Sequence, residues 1–259
     1  MQYGESMTEQ GELVRYTVDR GVARIELDSP HNRNALSRQL CAELDTHLQT
    51  ASADPAIRAV ELTHTGSVFC AGADLSEASG GPSITDVMIG LLRRIIDMPK
   101  PVVARLDGHV RAGGLGLVGA ADIALASKKV TFAFTEVRIG VAPAMITLTT
   151  LGRMTERAAS RYLLTGEIFD AATAAEVGLI TAAVEDVDKA TADLFDELRK
   201  CSPQGLAETK PMTTRTTREA FDSRAADLAA LSARLFATDE AKEGMRAFLE
   251  KRPPSWVLE

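Results

Sequence analysis

Phe69-Cys70-Ala71-Gly72-Ala73-Asp74-Leu75, then Gly108-His109-Val110-Arg111-Ala112-Gly113-Gly114-Leu115-Gly116, then Phe134-Thr135-Glu136-Val137-Arg138-Ile139-Gly140: this chain carries two small-residue turns followed by one glutamate. Turns without bulky side chains let a ligand approach the backbone, so two of them can aim N–H groups at a single oxygen atom. A carboxylate beside that oxygen can move a proton on and off a neighbouring carbon. Together these are the parts needed to stabilise and protonate an enolate.

Working outward, each turn ends a strand-like run. Residues 59–63 lead into the first turn, and the apolar run 101–106 leads into the second. A helix over 115–121 follows, then strand character at 122–126 and 131–134. Upstream, 13–18 and 22–27 alternate apolar and polar residues on either side of Asp19-Arg20-Gly21, the pattern of a hairpin. Ser37 is placed as an N-cap, and Leu40, Cys41, Leu44 and Leu48 follow at helical spacing until Asp54-Pro55. Residues 84–97 read as a helix stopped by Pro99. Past Pro143 the pattern becomes nearly all helical, over 155–164, 170–177, 188–200, 217–236 and 239–250, with a bend at 209–217. Alternating β and α followed by helices predicts an α/β core with a helical C-terminal region. The boundary is placed so that 1–200 form the core and 201–259 the helical region.

Composition excludes several function classes. The 259 residues carry a formal net charge of −7, which argues against general nucleic-acid binding. A chain of this length buries about three quarters of its unfolded surface and needs no staples. The three cysteines, Cys41, Cys70 and Cys201, are unpatterned and fit a reducing compartment. The four histidines are widely spaced, so no metal site is expected. No apolar run approaches the ~20 residues of a membrane span, and residues 1–11 lack a signal-peptide hydrophobic region. Met7 is an alternative start. The chain is expected to be cytoplasmic.

Taken singly, each segment has a plainer reading. The first turn can be a tight strand-to-helix connection with Asp74 as helix cap. Gly113-Gly114 can be close helix-on-sheet packing rather than an N–H cradle at a helix start. It matches neither the dinucleotide nor the nucleoside-triphosphate glycine pattern. Glu136, among Phe132, Phe134, Val137 and Ile139, can be a desolvated acid/base or a surface partner of Arg138. His109 and Arg111 flank the second turn and can line a pocket.

Joined in order, the segments resemble the enoyl-CoA hydratase/isomerase (crotonase) superfamily across nearly the whole chain. Pro30 with Asn34-Ala35-Leu36 resembles the family's P-x-x-x-N-A-L segment, and Phe69 to Leu75 its F-x-A-G-A-D-[LI] segment. Asp107-Gly108, Gly113-Gly114 and Ala121-Asp122-Ile123 resemble N-G-x-x-x-G-G-G…C-D-[IL]. Leu164-Thr165-Gly166 with Ala174-Ala175-Glu176-Val177-Gly178-Leu179-Ile180 resembles L-T-G…A-x-x-A-x-x-x-G-L-[VI]. Phe248-Leu249-Glu250-Lys251-Arg252 resembles the C-terminal F-x-E-K-R tail.

The resemblance implies a crotonase-like ββα spiral core whose helical C-terminal region drives trimerisation, as a homotrimer or a dimer of trimers. It implies an acyl-CoA thioester substrate and no cofactor beyond that coenzyme A moiety. Ala73 and Gly113 match the oxyanion-hole positions, a contribution of about 3–4 kcal/mol per donor. Arg33, Ala35, Ala71, Asp74, Leu75 and Gly114 fall in substrate-contacting segments. Phe248 and Lys251 match tail positions that reach the adenine end, often from a neighbouring subunit.

One departure shapes the expected chemistry. Family hydratases carry two glutamates; Glu136 matches the second, and Gly116 stands where the first belongs. The middle P-G-G-G is also changed, to Ala142-Pro143-Ala144-Met145. The leading expectation is hydration of a 2-enoyl-CoA with Glu136 as the single acid/base. The alternatives are a Δ3,Δ2-enoyl-CoA isomerase and a non-catalytic acyl-CoA-binding homologue. Similarity to methylglutaconyl-CoA-type hydratases suggests a second substrate carboxylate, read by Arg111 or Arg138. The loops 78–82 and 141–147 are expected to set acyl-chain preference.

Overall fold

The computed structural model describes residues 11–77 and 84–258. Residues 1–10, with the expected absence of a leader and the alternative start at Met7, lie outside them, as does the loop 78–82. The hairpin is β1 (Val14–Asp19) paired antiparallel with β2 (Val22–Leu27). Arg20 and Gly21 both take positive φ, 43° and 78°, the two-residue turn whose twist matches its flanking strands. Ser37 caps α1 (Arg38–Ala53), its side chain accepting from the Leu40 N–H at 3.2 Å. The buried face of α1 is the predicted set, Leu40, Cys41, Leu44 and Leu48, with Ala51.

From there the chain climbs in turns that each add one strand to each of two sheets. β3 (Ala59–His64), β5 (Val102–Leu106) and β7 (Ile123–Ser127) extend the hairpin in parallel register and, with β10 (Ala182–Val184), give a six-stranded sheet in the order β1-β2-β3-β5-β7-β10. β4 (Val68–Cys70), β6 (His109–Arg111) and β8 (Thr131–Ala133), with β9 (Phe169–Asp170), build the second, ordered β4-β6-β8-β9. The helices α2 (Ile84–Asp97) and α3 (Gly113–Ala120) connect successive turns. This is the ββα spiral that the resemblance implied. Of the second sheet only β8 was anticipated, by the strand character at 131–134; the other strands have two or three residues each, too few to show an alternation.

A short α4 (Thr147–Thr150) and α5 (Glu156–Thr165) follow, then β9 (Phe169–Asp170), α6 (Ala171–Glu176), β10 (Ala182–Val184) and α7 (Val187–Lys200). α8 (Pro203–Thr213), α9 (Arg215–Phe236) and α10 (Asp239–Leu249) complete the chain. The expected bend at 209–217 shrinks to Thr214. Pro211 sits inside α8 rather than ending it. One reason is Lys210, 4% exposed, whose ammonium donates to the Ile95 carbonyl at 2.7 Å and the Lys100 carbonyl at 2.9 Å. It also pairs with Asp122 at 2.7 Å, which fixes this last turn of α8 to the core.

Two contacts aim the site. Phe169 stacks on Phe132, Phe134 and Tyr162, with ring centroids 5.8, 6.3 and 4.1 Å apart, which fixes the strand that delivers Glu136. Each such pair contributes about 0.5–1.5 kcal/mol beyond its buried area. α10 then closes over the turn after that strand, so tightly that a Cβ on Gly244 would run into the Ile139 carbonyl.

Candidate active site

The first turn is positioned by a clamp at Asn34. This residue is fully buried with φ 53°, a conformation that asparagine tolerates better than most residues. Its side-chain amide donates to the Val68 and Thr65 carbonyls at 2.8 and 3.1 Å, and its Oδ1 accepts the Ser29 N–H at 2.7 Å. The clamp ties the segment bearing Arg33 and Ala35 to the start of β4, and just past the end of that strand the Ala71 N–H donates to the Arg33 carbonyl at 3.1 Å. Leu36 then bridges Ala73 in parallel. The Leu36 N–H donates to the Gly72 carbonyl at 2.8 Å, and the Asp74 N–H donates to the Leu36 carbonyl at 3.2 Å. In a parallel bridge this arrangement turns the N–H of Ala73 itself away from Leu36.

The second turn meets the first directly. Gly72 has φ +95°, and a Cβ there would lie 2.7 Å from the Ala112 Cβ and 3.3 Å from the Gly113 nitrogen. Ala112 holds φ 46° and ψ −122°, a conformation costly for a residue with a Cβ, at the entry to α3. Gly113 is thereby the first residue of that helix, where the N–H has no intrahelical acceptor and the helix dipole is positive. Ala73, Ala112 and Gly113 all line one cavity of about 570 Å³.

Glu136 lines the same cavity from the opposite strand exit. It opens a short 3-10 turn (Glu136–Ile139) rather than sitting on a strand end. Its Oε2 is buried and has no hydrogen-bond partner among the described residues. Burial pushes the carboxyl up to about 7, opposed only by a hydrogen bond from its own backbone N–H. The group is thus divided between acid and base near neutrality, the condition that favours proton transfer in either direction.

The predicted contact residues separate into two groups. Arg33, Ala35, Ala71, Asp74, Leu75 and Phe248 line the cavity with Ala73, Gly113 and Glu136. Phe248 does so from within the same chain. Gly114 and Lys251 are not on the wall. Gly114 is a packing position, where a Cβ would fall 2.8 Å from the Cys70 Cβ, so its plainer reading fits best. Lys251 is exposed, and the neighbouring Arg252 lines the rim instead, held by Glu243 at 2.7 Å.

His109 and Arg111 do not line the cavity either. The Arg111 guanidinium donates to the Thr131 carbonyl at 2.7 Å, the Thr131 hydroxyl at 2.8 Å and the Val110 carbonyl at 2.9 Å, while the His109 ring meets Thr131 at 3.1 Å. Both tie β6 to β8. Replacing Arg111 with Met is therefore expected to cost about 2 kcal/mol, or roughly 4–8 °C in Tm for a chain of this size. Substrate preference should not change; a changed preference with unchanged Tm would contradict the assignment. Arg138 is on the cavity wall.

The wall also contains Ala112, Met88 and Ser232, which the sequence did not single out, and Ile146, which lies in the loop 141–147 expected to set acyl-chain preference. The alanine before Gly113-Gly114, where a glycine would be unstrained, was the one available signal. Among the described residues no cluster of His, Cys, Asp and Glu is arranged to hold a metal, and no helix is long and apolar enough to cross a membrane.

The family model for enoyl-CoA hydratase/isomerase matches residues 17–258. A crystal structure of an enoyl-CoA hydratase from Mycobacterium avium superposes with a TM-score of 0.90 at 53% identity, covering 95% of this chain and all of that one. The enoyl-CoA hydratase domain-containing protein 3 of Danio rerio is 32% identical over 254 residues, 91% of this chain and 84% of its own. The trans-2-decenoyl-[acyl-carrier-protein] isomerase of Streptococcus mutans is 29% identical over 260 residues, 94% of this chain and 97% of its own. With the spiral fold and two converging glycine turns in place, the chain belongs to the enoyl-CoA hydratase/isomerase family and is an enzyme of that type.

Proposed function

We propose that this enzyme hydrates a 2-enoyl-CoA with Glu136 as its single acid/base. The observation that carries the reading is the buried, unpartnered Oε2 of Glu136 in the cavity that Ala73 and Gly113 also line. In this reading the thioester oxygen sits between the Ala73 and Gly113 N–H groups, which stabilise the enolate as negative charge develops. Glu136 takes a proton from the attacking water as oxygen bonds to the β-carbon. It then gives that proton to the α-carbon, so one carboxyl serves both halves of the addition. Arg33 and Phe248 lie along the coenzyme A moiety, and no further cofactor takes part. Within the same proposal the helices over 201–259 provide the surface for a homotrimer or a dimer of trimers.

A second reading, Δ3,Δ2 isomerisation, is favoured by the wall around Gly116. A Cβ there would fall 2.8 Å from Ile146 Cγ2 and 3.4 Å from Leu92 Cδ1, so apolar groups fill the place of the missing carboxylate. One base can lift a proton from one carbon and return it to another without holding water. The two readings part in a spectroscopic assay on crotonyl-CoA and 3-butenoyl-CoA. Loss of conjugated-enoyl absorbance from crotonyl-CoA is the expected result. Gain of that absorbance from 3-butenoyl-CoA alone would replace hydration by isomerisation, and no change with either would overturn both for short acyl groups.

A further inference from the structure

One wall of the cavity holds a hydroxyl that neither reading uses. Ser232 lies on α9, 3% exposed, and lines the cavity. Its α9 neighbours at i−4 and i+4 are Leu228, packed against the core, and Phe236, also on the wall. Serine therefore interrupts an otherwise apolar seam, at a position where a buried hydroxyl is costly unless it is hydrogen-bonded. Its partner is Thr85 of α2, itself 3% exposed, with the two oxygens 3.4 Å apart. That is well beyond the ~2.7–2.8 Å of a good O–H···O bond.

Counting protons sharpens the point. Two hydroxyls bring two donors, and one contact between them can use only one. The other serines and threonines on helices commonly return their proton to the carbonyl four residues back, as Ser223 does to Glu219 at 2.7 Å. Ser232 makes no such bond among the described residues. With Thr85 donating to Ser232, the Ser232 proton is left at the cavity wall without an acceptor. The helix α2 links this pair to the second glycine turn. A Cβ on Gly113 would lie 3.1 Å from the Met88 methyl, and Thr85 precedes Met88 by about one turn of α2.

We infer that Ser232, supported by Thr85, is a specificity-determining donor for an uncharged oxygen, hydroxyl or carbonyl, carried on the acyl group. The inference rests on the acyl-CoA reading of the cavity. A neutral oxygen fits the pair better than a carboxylate, because two hydroxyls supply no positive charge to a buried anion. Of the two cations expected to read such a carboxylate, Arg111 is committed to Thr131, and Arg138, on the cavity wall, donates to the Thr165 carbonyl at 3.3 Å.

The test uses unreactive saturated ligands, so it does not depend on turnover. Calorimetric affinities are compared for butyryl-CoA against 4-hydroxybutyryl-CoA, and for pentanoyl-CoA against 5-hydroxypentanoyl-CoA. The wild-type protein is expected to prefer the hydroxylated member at one or both lengths by about tenfold, the scale of one hydrogen bond. Ser232→Ala should bring that ratio to within twofold of unity, and Thr85→Val should lower it in the same direction. No preference in the wild type at either length, or a preference that survives Ser232→Ala in a variant with wild-type Tm, overturns the inference alone. Failure of all four thioesters to bind would overturn the acyl-CoA reading as well.

Discussion

Glu136→Gln is expected to lower kcat by ~10²-fold or more while leaving acyl-CoA affinity close to that of the wild type. Glutamine keeps the shape of the side chain and its contact with the cavity, but it cannot accept and return a proton. The sign of the pH dependence follows from the raised carboxyl. As the base toward water, Glu136 must be ionised, so wild-type kcat should rise through about pH 7 and level off above it. The same shift predicts a stability effect. The carboxyl is neutral in both folded and unfolded states well below its ordinary value of 4.5, and there its burial carries no charge penalty. Between 4.5 and about 7 the unfolded chain ionises while the folded one resists, so stability is lost as pH rises and the full penalty is present above about 7. At 1.36 kcal/mol per unit that gap is about 3 kcal/mol, an upper figure for a group on a cavity wall. Glu136→Gln does not titrate, so its Tm should match the wild type well below pH 4.5, exceed it increasingly up to about pH 7 and hold that lead above. Parallel Tm curves for the two proteins would show that the carboxyl is not desolvated. Unchanged kcat would remove Glu136 from the mechanism.

The turns and the glutamate were legible in the sequence because their chemistry depends on residue type at fixed spacing. Gly72 at φ +95° could hardly be anything else, and the hydrophobic neighbours of Glu136 already pointed to a desolvated carboxyl. The long helices were legible for the same reason that they form: α1 and α2 repeat their buried positions over 16 and 14 residues. What could not be read depends on contacts between distant segments. Arg111 beside a glycine turn looks like a pocket cation until β8 is placed next to β6 and Thr131 takes its guanidinium. Lys210 and Asp122 are 88 positions apart and meet only once α8 packs across the core. Ser232 and Thr85 become a pair only through the contact of α9 with α2.

Gly116→Glu is expected to destabilise the protein by about 3 kcal/mol or more, because the position is not merely vacant but occupied by its neighbours. A Cβ alone would sit 2.8 Å from Ile146 Cγ2. Forcing extra atoms into a packed wall costs about 1–3 kcal/mol, and a carboxylate without a partner adds a desolvation cost on top. Tm should fall by roughly 6–12 °C or further for a chain of this size. If instead Gly116→Glu melts with the wild type, Ile146 moves aside freely and the wall is not what excludes the second carboxylate. The double variant Gly116→Glu/Ile146→Gly separates space from charge, since it removes the branched side chain that blocks the site and lets the new carboxylate reach the cavity. Its Tm should recover part of the loss. A second negative group near Glu136 should also raise the carboxyl further, moving the rise of kcat to higher pH than in Ile146→Gly alone. That shift, together with faster crotonyl-CoA hydration than in Ile146→Gly, would show that the fold still accommodates a two-carboxylate site. A recovered Tm with an unmoved pH profile would instead place the new carboxylate out of electrostatic reach of Glu136. Ile146 would then be a packing residue whose exchange with residue 116 does not rebuild the chemistry.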